Sequence, residues 1–158
     1  KSPDNFRWNN FYNHPNEPVH QVPFMFNEAG MPWLTQKWTR KISKNAYGSD
    51  VMGLCGNDDV GQLSAWYVLS AMGIHPICPG DNKYQVTSPV FNKIEISLDK
   101  EYYNGNKFTI IANNNSSENI YIQSMQLNGK PLNRFWISHQ EIIAGGTLAL
   151  EMGPHPFK

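Results

Sequence analysis

The sequence predicts an α+β fold, with the helices first and the strands second. Three observations carry this. Before about residue 75, apolar residues recur at helical spacing. After about residue 80 they alternate in short runs. Between the two textures stands Pro79-Gly80-Asp81-Asn82, which is turn chemistry.

The elements follow in order. Pro18 suits the first turn of a helix running from His20 to Ala29 and stopped by Gly30. Pro32 opens a second helix, Trp33 to Asn45, with Trp33, Trp38 and Ile42 near one face. Tyr47 to Gly56 reads as a loop. A third helix, about Val60 to Met72, is apolar nearly all round, which predicts burial, and Gly73 stops it. His75, before Pro76, reads as a turn residue. Strands are predicted over Asn92 to Leu98, Phe108 to Ala112, Ile120 to Met125 and Leu148 to Met152. Asn104-Gly105, Asn128-Gly129 and Gly145-Gly146 are hairpin signals, and the run Asn113-Asn114-Asn115-Ser116-Ser117 reads as a hairpin tip. Asn114 and Asn115 each match N-x-S, a pattern with meaning in a eukaryotic secreted protein. His139 and His155 read as surface residues.

Composition narrows the function. Thirteen basic and thirteen acidic residues give zero net charge, against a nucleic-acid binder. No apolar run approaches the roughly 18 residues of a membrane-spanning helix. Charged residues make up 16%, well under the usual share of about 25%. Amides replace them, with 18 asparagines, and 13% of the chain is aromatic. Such a surface suits hydroxyl-rich ligands, since amides both donate and accept while rings cover sugar C–H faces. The apolar opening at Trp8, Phe11 and Tyr12 fits a segment of something longer better than a free tail. Cys55 and Cys78 form no C-x-x-C pair and read as two small buried hydrophobes, with a disulfide not demanded. No G-x-S-x-G elbow, phosphate loop or dinucleotide fingerprint occurs.

Two polar clusters could do chemistry. Asn13-His14-Pro15-Asn16-Glu17-Pro18-Val19-His20-Gln21 packs a carboxylate, amides and imidazoles into a proline-bounded loop. Its oxygens suit a hard cation such as calcium, and its bland reading is a polar loop ahead of a helix. Gly56-Asn57-Asp58-Asp59-Val60-Gly61-Gln62 sets two carboxylates before a buried helix. The bland reading is a capping box between Asp59 and Gln62. The functional reading is that one carboxylate activates water while the other binds metal or tunes its neighbour.

Asn16-Glu17-Pro18, Ala29-Gly30-x-Pro32-Trp33 and the long block Gly56-Asn57-Asp58-Asp59-x-Gly61-Gln62-Leu63-Ser64-Ala65-Trp66-Tyr67 together resemble glycoside hydrolase family 92. So do Ser70-Ala71-Met72-Gly73, Ser88-Pro89-x-Phe91 and Leu127-Asn128-Gly129. The family consists of calcium-dependent, exo-acting, inverting α-mannosidases. The resemblance implies that residues 1–78 are the C-terminal hairpins of an (α/α)6 toroid. Residues 79–158 would be an antiparallel, sandwich-like β region packed beside it. It implies Asp59 as the general base, with Asp58 beside it as helper. Asn57 departs from the Asp-Glu-Asp that many members carry. Glu17 and the Asn16 carbonyl would hold Ca2+, and Asn57, His20 and Gln62 would bind substrate. The general acid would lie upstream, so this chain alone should be inactive. The implied partners are mannose-containing glycans, such as N-glycans cut at α-1,2 linkages, and the N-terminal remainder of the same protein. The implied location is periplasmic or extracellular. The competing reading is a non-catalytic carbohydrate-binding or structural accessory domain.

Overall fold

The computed structural model of the chain describes residues 12–157; Trp8 and Phe11 lie outside them. Among the described residues are four α-helices and two β-sheets. The expected helix from His20 to Ala29 is instead three short pieces. Two 3-10 turns, Glu17–Val19 and Val22–Phe24, lead into a four-residue α1 (Met25–Glu28). Pro18 and Pro23 each sit in the first turn of a 3-10 piece. Neither has an N–H to give, so no α-helical ladder runs through the segment.

Helix α2 (Pro32–Asn45) opens at its proline as expected. Its buried face has the right spacing but is largely polar: Thr35, Gln36, Thr39, Ile42 and Ser43. Trp33 and Trp38 are half-buried off that face, and the Lys37 and Lys41 ammonium groups lie 5.5 and 5.4 Å from the Trp38 ring. The face is polar because it meets the β region through hydrogen bonds. Thr39 Oγ1 and Thr87 Oγ1 are 2.6 Å apart, and Gln36 Oε1 accepts the Ile122 N–H at 3.0 Å.

Helix α3 (Gln62–Met72) buries Leu63, Trp66, Ser70 and Ala71 but leaves Val68 54% exposed, so its burial is one-sided. Gly73 ends it in the left-handed region at φ 90°, and the Gly73 carbonyl accepts the Thr87 N–H at 2.8 Å.

Strands β1 (Ile74–His75), β2 (Lys83–Val86) and β7 (Trp136–Ser138) form a small antiparallel sheet in the order β1-β2-β7. The larger sheet comprises β3 (Lys93–Ser97), β4 (Lys107–Asn113), β5 (Tyr121–Leu127), β6 (Lys130–Pro131) and β8 (Gly146–Gly153), in the order β3-β4-β8-β5-β6. It is mixed, not antiparallel as expected, because β4 and β8 run parallel. The chain enters β8 from a short helix, α4 (His139–Ile143), and Gly145-Gly146 makes that entry instead of a hairpin. Asn128-Gly129 does join the neighbours β5 and β6, with φ of 52° and 76°. Asn104-Gly105 lies in the longer β3–β4 loop. The Asn113–Ser117 run is not a hairpin tip, since β8 stands between β4 and β5. Helix α4 begins at a capping box, Ser138 with Glu141.

The two sheets share one core. Ile74, Val86 and Ile137 of the small sheet pack with Phe108, Ile110, Leu148 and Leu150 of the large one. A second cluster of Phe24, Ile42, Leu63 and Trp66 lies under the helices. Cys55 is buried there, whereas Cys78 is exposed, against expectation. No helix of the described residues is long and apolar enough to cross a membrane.

Candidate active site

The loop before α3 departs from the capping geometry its sequence suggests. Asp58, not Asp59, holds the helix start. One oxygen of the Asp58 carboxylate accepts the Ser64 N–H at 2.9 Å, and the other accepts the Ser64 hydroxyl at 2.8 Å. These bonds keep the Asp58 carboxyl below its ordinary pKa. Asp59, Val60 and Gly61 then turn the chain through three successive left-handed residues, with φ of 43°, 62° and 89°. That conformation is costly for Asp59 and more so for β-branched Val60. It turns the Asp59 carboxyl toward Glu17.

Glu17 and Asp59 are 42 positions apart, yet their carboxyls are close enough to shift each other's pKa. Two ionised carboxylates at close range contain no donor and repel, and a shared proton or a cation between them would relieve that repulsion. Asp59 is pushed up, first by the neighbouring Glu17 carboxyl and its charge. Glu17 is pushed down, first by its own backbone N–H and then by Asp59. Glu17 Oε1 and, in the same loop, Asn13 Oδ1 are buried and have no hydrogen-bond donor among the described residues.

Behind this pair stands a network of fixed tautomers. His20 is buried and its Nε2 donates to the His14 carbonyl at 3.0 Å. That leaves Nδ1 to accept from the Gln62 amide at 3.2 Å. Trp66, fully buried, donates its indole N–H to the His20 carbonyl at 2.9 Å. His14 lies between two phenols, with Nδ1 2.9 Å from the Tyr12 hydroxyl and Nε2 2.7 Å from that of Tyr47. The Tyr47 hydroxyl donates onward to the Leu63 carbonyl, so His14 Nε2 carries the proton. Burial lowers the His14 pKa to about 3 and the His75 pKa to about 4, so both rings are neutral. His75 stacks on Phe24 at 4.3 Å between ring centroids and donates Nδ1–H to the Pro76 carbonyl at 2.6 Å.

Glu17, His20 and Gln62 line a cavity of about 510 Å³, with Trp66, His75 and Pro76 as further walls. Asn16 and Asn57 are exposed on the flanks of the two loops, outside that lining. The Asn16 carbonyl accepts the Val19 N–H at 3.3 Å. His75, expected as a turn residue, is instead a buried residue of β1 that lines the cavity, and Tyr47 is not singled out from the sequence. A histidine wedged between a helix-stopping glycine and a proline was the available signal for the first; nothing local marks the second.

Residues 1–154 match the glycosyl hydrolase family 92 catalytic domain. The chain belongs to this family. It is 36% identical, over 140 residues, to an uncharacterized secreted glycosidase of Arthroderma benhamiae, covering 87% of this chain and 18% of that protein. Its fold is similar to a family GH92 alpha-mannosidase from Bacteroides thetaiotaomicron at TM-score 0.85 and 34% identity, covering 92% of this chain and 19% of that one. A GH92 inverting mannosidase from the same bacterium matches at TM-score 0.84 and 38% identity, over 93% and 19% of the two chains. The chain thus spans about a fifth of the length of these family 92 relatives.

Proposed function

We propose that this chain is the C-terminal part of an inverting, exo-acting α-mannosidase. It would remove terminal mannose from mannosides or N-glycans, with α-1,2 linkages as its preferred class. Residues 1–78 would close the toroid and residues 79–158 would pack beside it. The carrying observation is the approach of Asp59, exposed and outside the cavity lining, to Glu17, which lines the cavity, from loops 42 positions apart.

Within that reading Asp59 is the general base. Held by its left-handed turn, it takes a proton from the attacking water. An inverting mechanism needs a second carboxyl roughly 6.5–9.5 Å away to protonate the leaving oxygen. Glu17 stands close enough to Asp59 to shift its pKa and is too near for that role, so the acid comes from the remainder of the protein. Asp58, with both oxygens on Ser64, holds the turn. Gln62, oriented by His20, offers its amide oxygen to sugar hydroxyls, and exposed Asn57 adds a further amide at the rim.

The donor set fits calcium. It is all oxygen, it includes the buried, donorless Glu17 Oε1, and a cation would relieve the repulsion between two carboxylates. No three His, Cys, Asp or Glu side chains of the described residues form a metal cluster. The Asn16 carbonyl and substrate hydroxyls would therefore complete the shell with Glu17. When bound, the ion supplies charge stabilisation for a distorted sugar ring. The similarity to a secreted glycosidase supports a location outside the cytoplasm.

The test uses the intact protein and an α-linked mannobiose. Asp59→Asn should abolish release of mannose with the fold kept, and Glu17→Ala should remove calcium dependence. Full turnover by Asp59→Asn refutes the assignment of the base.

A further inference from the structure

A second cavity, of about 440 Å³, shares no lining residue with the one beside Glu17. It opens where α1 and α2 meet β2 and β7. The two cavities are nonetheless neighbours, since His75 of one and Gln85 of the other are register partners on β1 and β2. We propose that this second cleft is a non-catalytic binding site for a neutral hexopyranose unit of a glycan. The cleft's chemistry stands independently of the proposed hydrolase function, and only the choice of mannan as first probe rests on that reading.

A pyranose needs an apolar plate for its C–H face and planar polar groups for vicinal hydroxyls. The cleft supplies both. Trp33 is half-exposed on one wall, and Phe157, 64% exposed, stands on another. Trp136 also lines it, but the Arg134 guanidinium lies 4.1 Å and the Lys83 ammonium 5.0 Å from its ring centroid. Trp136 is thus engaged by cations, and the plate falls to Trp33 and Phe157.

The polar groups are held in advance. Asn27 Nδ2 donates to Gln85 Oε1 at 3.0 Å, and Gln85 Nε2 donates to Glu28 Oε1 at 2.7 Å. Gln85 is buried, so this relay fixes an otherwise exposed carboxylate on the cleft wall. Asn27 lines the same cleft; its Nδ2 also donates to the Val86 and Phe135 carbonyls at 3.0 Å each, and its Oδ1 is a buried acceptor with no donor among the described residues. Exposed Asn133 adds a free amide. One carboxylate, two amides and an open indole around a cavity of this size are a sugar's complement. Guanidinium pairing to Glu141 leaves Arg134 unsuited to recruit a competing anion.

The test is electrophoresis of the intact protein through gels containing soluble α-mannan, with parallel gels of α-glucan, β-glucan and β-galactan. Retardation in at least one gel is expected. It should fall about tenfold or more in apparent affinity with Trp33→Ala, and comparably with Glu28→Gln, which keeps the side-chain shape. Hydrolysis of a small aryl α-mannoside should stay within about twofold in both variants. Asp59→Asn should be retarded like the parent, so a failure of the hydrolase reading leaves the binding result legible. No retardation in any gel overturns the proposal. So does retardation that survives both substitutions, or loss of retardation in proportion to loss of aryl-mannoside turnover.

Discussion

Replacing Gly73 by alanine should destabilise the protein by about 2 kcal/mol. Gly73 has a φ of 90° at the end of α3, and a Cβ there would lie 3.1, 3.1 and 3.2 Å from three carbons of the Pro89 ring. The left-handed conformation costs an L-residue about 1 kcal/mol or more. A pyrrolidine ring is rigid and cannot swing aside, which adds overpacking of about 1–2 kcal/mol. Restricting the unfolded chain offsets about 0.5 kcal/mol. Gly80 provides the control, because its φ is 86° but nothing lies within 4 Å of an added Cβ. Gly80→Ala should therefore cost about 1 kcal/mol or less. Urea unfolding of both variants, followed by tryptophan fluorescence, measures the difference. Equal losses at the two positions would refute the argument that the Pro89 ring is the obstacle.

Two further outcomes are expected. His14 and His75 have folded pKa values of about 3 and about 4, below their ordinary 6.5, so the unfolded chain binds more protons in acid. Their stabilising effect is complete above pH 6.5 and is lost as pH falls, by about 2 kcal/mol per histidine at pH 5. The urea midpoint should drop between pH 7 and pH 5, and His75→Phe, which keeps the stack on Phe24, should flatten that slope; an unchanged midpoint in the parent would contradict the burial argument. Gln36→Leu keeps the volume but strips the acceptor from the buried Ile122 N–H, a loss of about 1–3 kcal/mol, and amide exchange at Ile122 should accelerate with it.

Sequence and structure agree where the signal is local. Pro32 opens α2, Gly73 closes α3 and Asn128-Gly129 turns β5 into β6, since each residue type limits the backbone at its own position. Helix α4 was legible too, in the Ser138-x-x-Glu141 capping box, though alternation in the flanking strands hid it. What failed was long-range. The parallel pairing of β4 and β8 depends on where the chain returns after α4. The polar face of α2 depends on the β5 backbone: the register of β5 on β8 shifts between Ile122 and Ser124, and Gln36 serves the Ile122 N–H there. In the site, both polar loops were visible as clusters. Which aspartate caps and which faces Glu17 was not, because Asp58 and Asp59 are chemically alike and only the left-handed turn separates them.

The position of β8 bears on how the protein is made. It is the last strand among the described residues, yet it fills the middle of the five-stranded sheet. As the polypeptide emerges from the ribosome, β4 and β5 wait with their inner hydrogen-bonding rims bare and Phe108, Ile110 and Met125 without a lid. Truncation of the polypeptide before Gly146 would thus remove the keystone of the β region, leaving two ribbons ready to join other nascent copies.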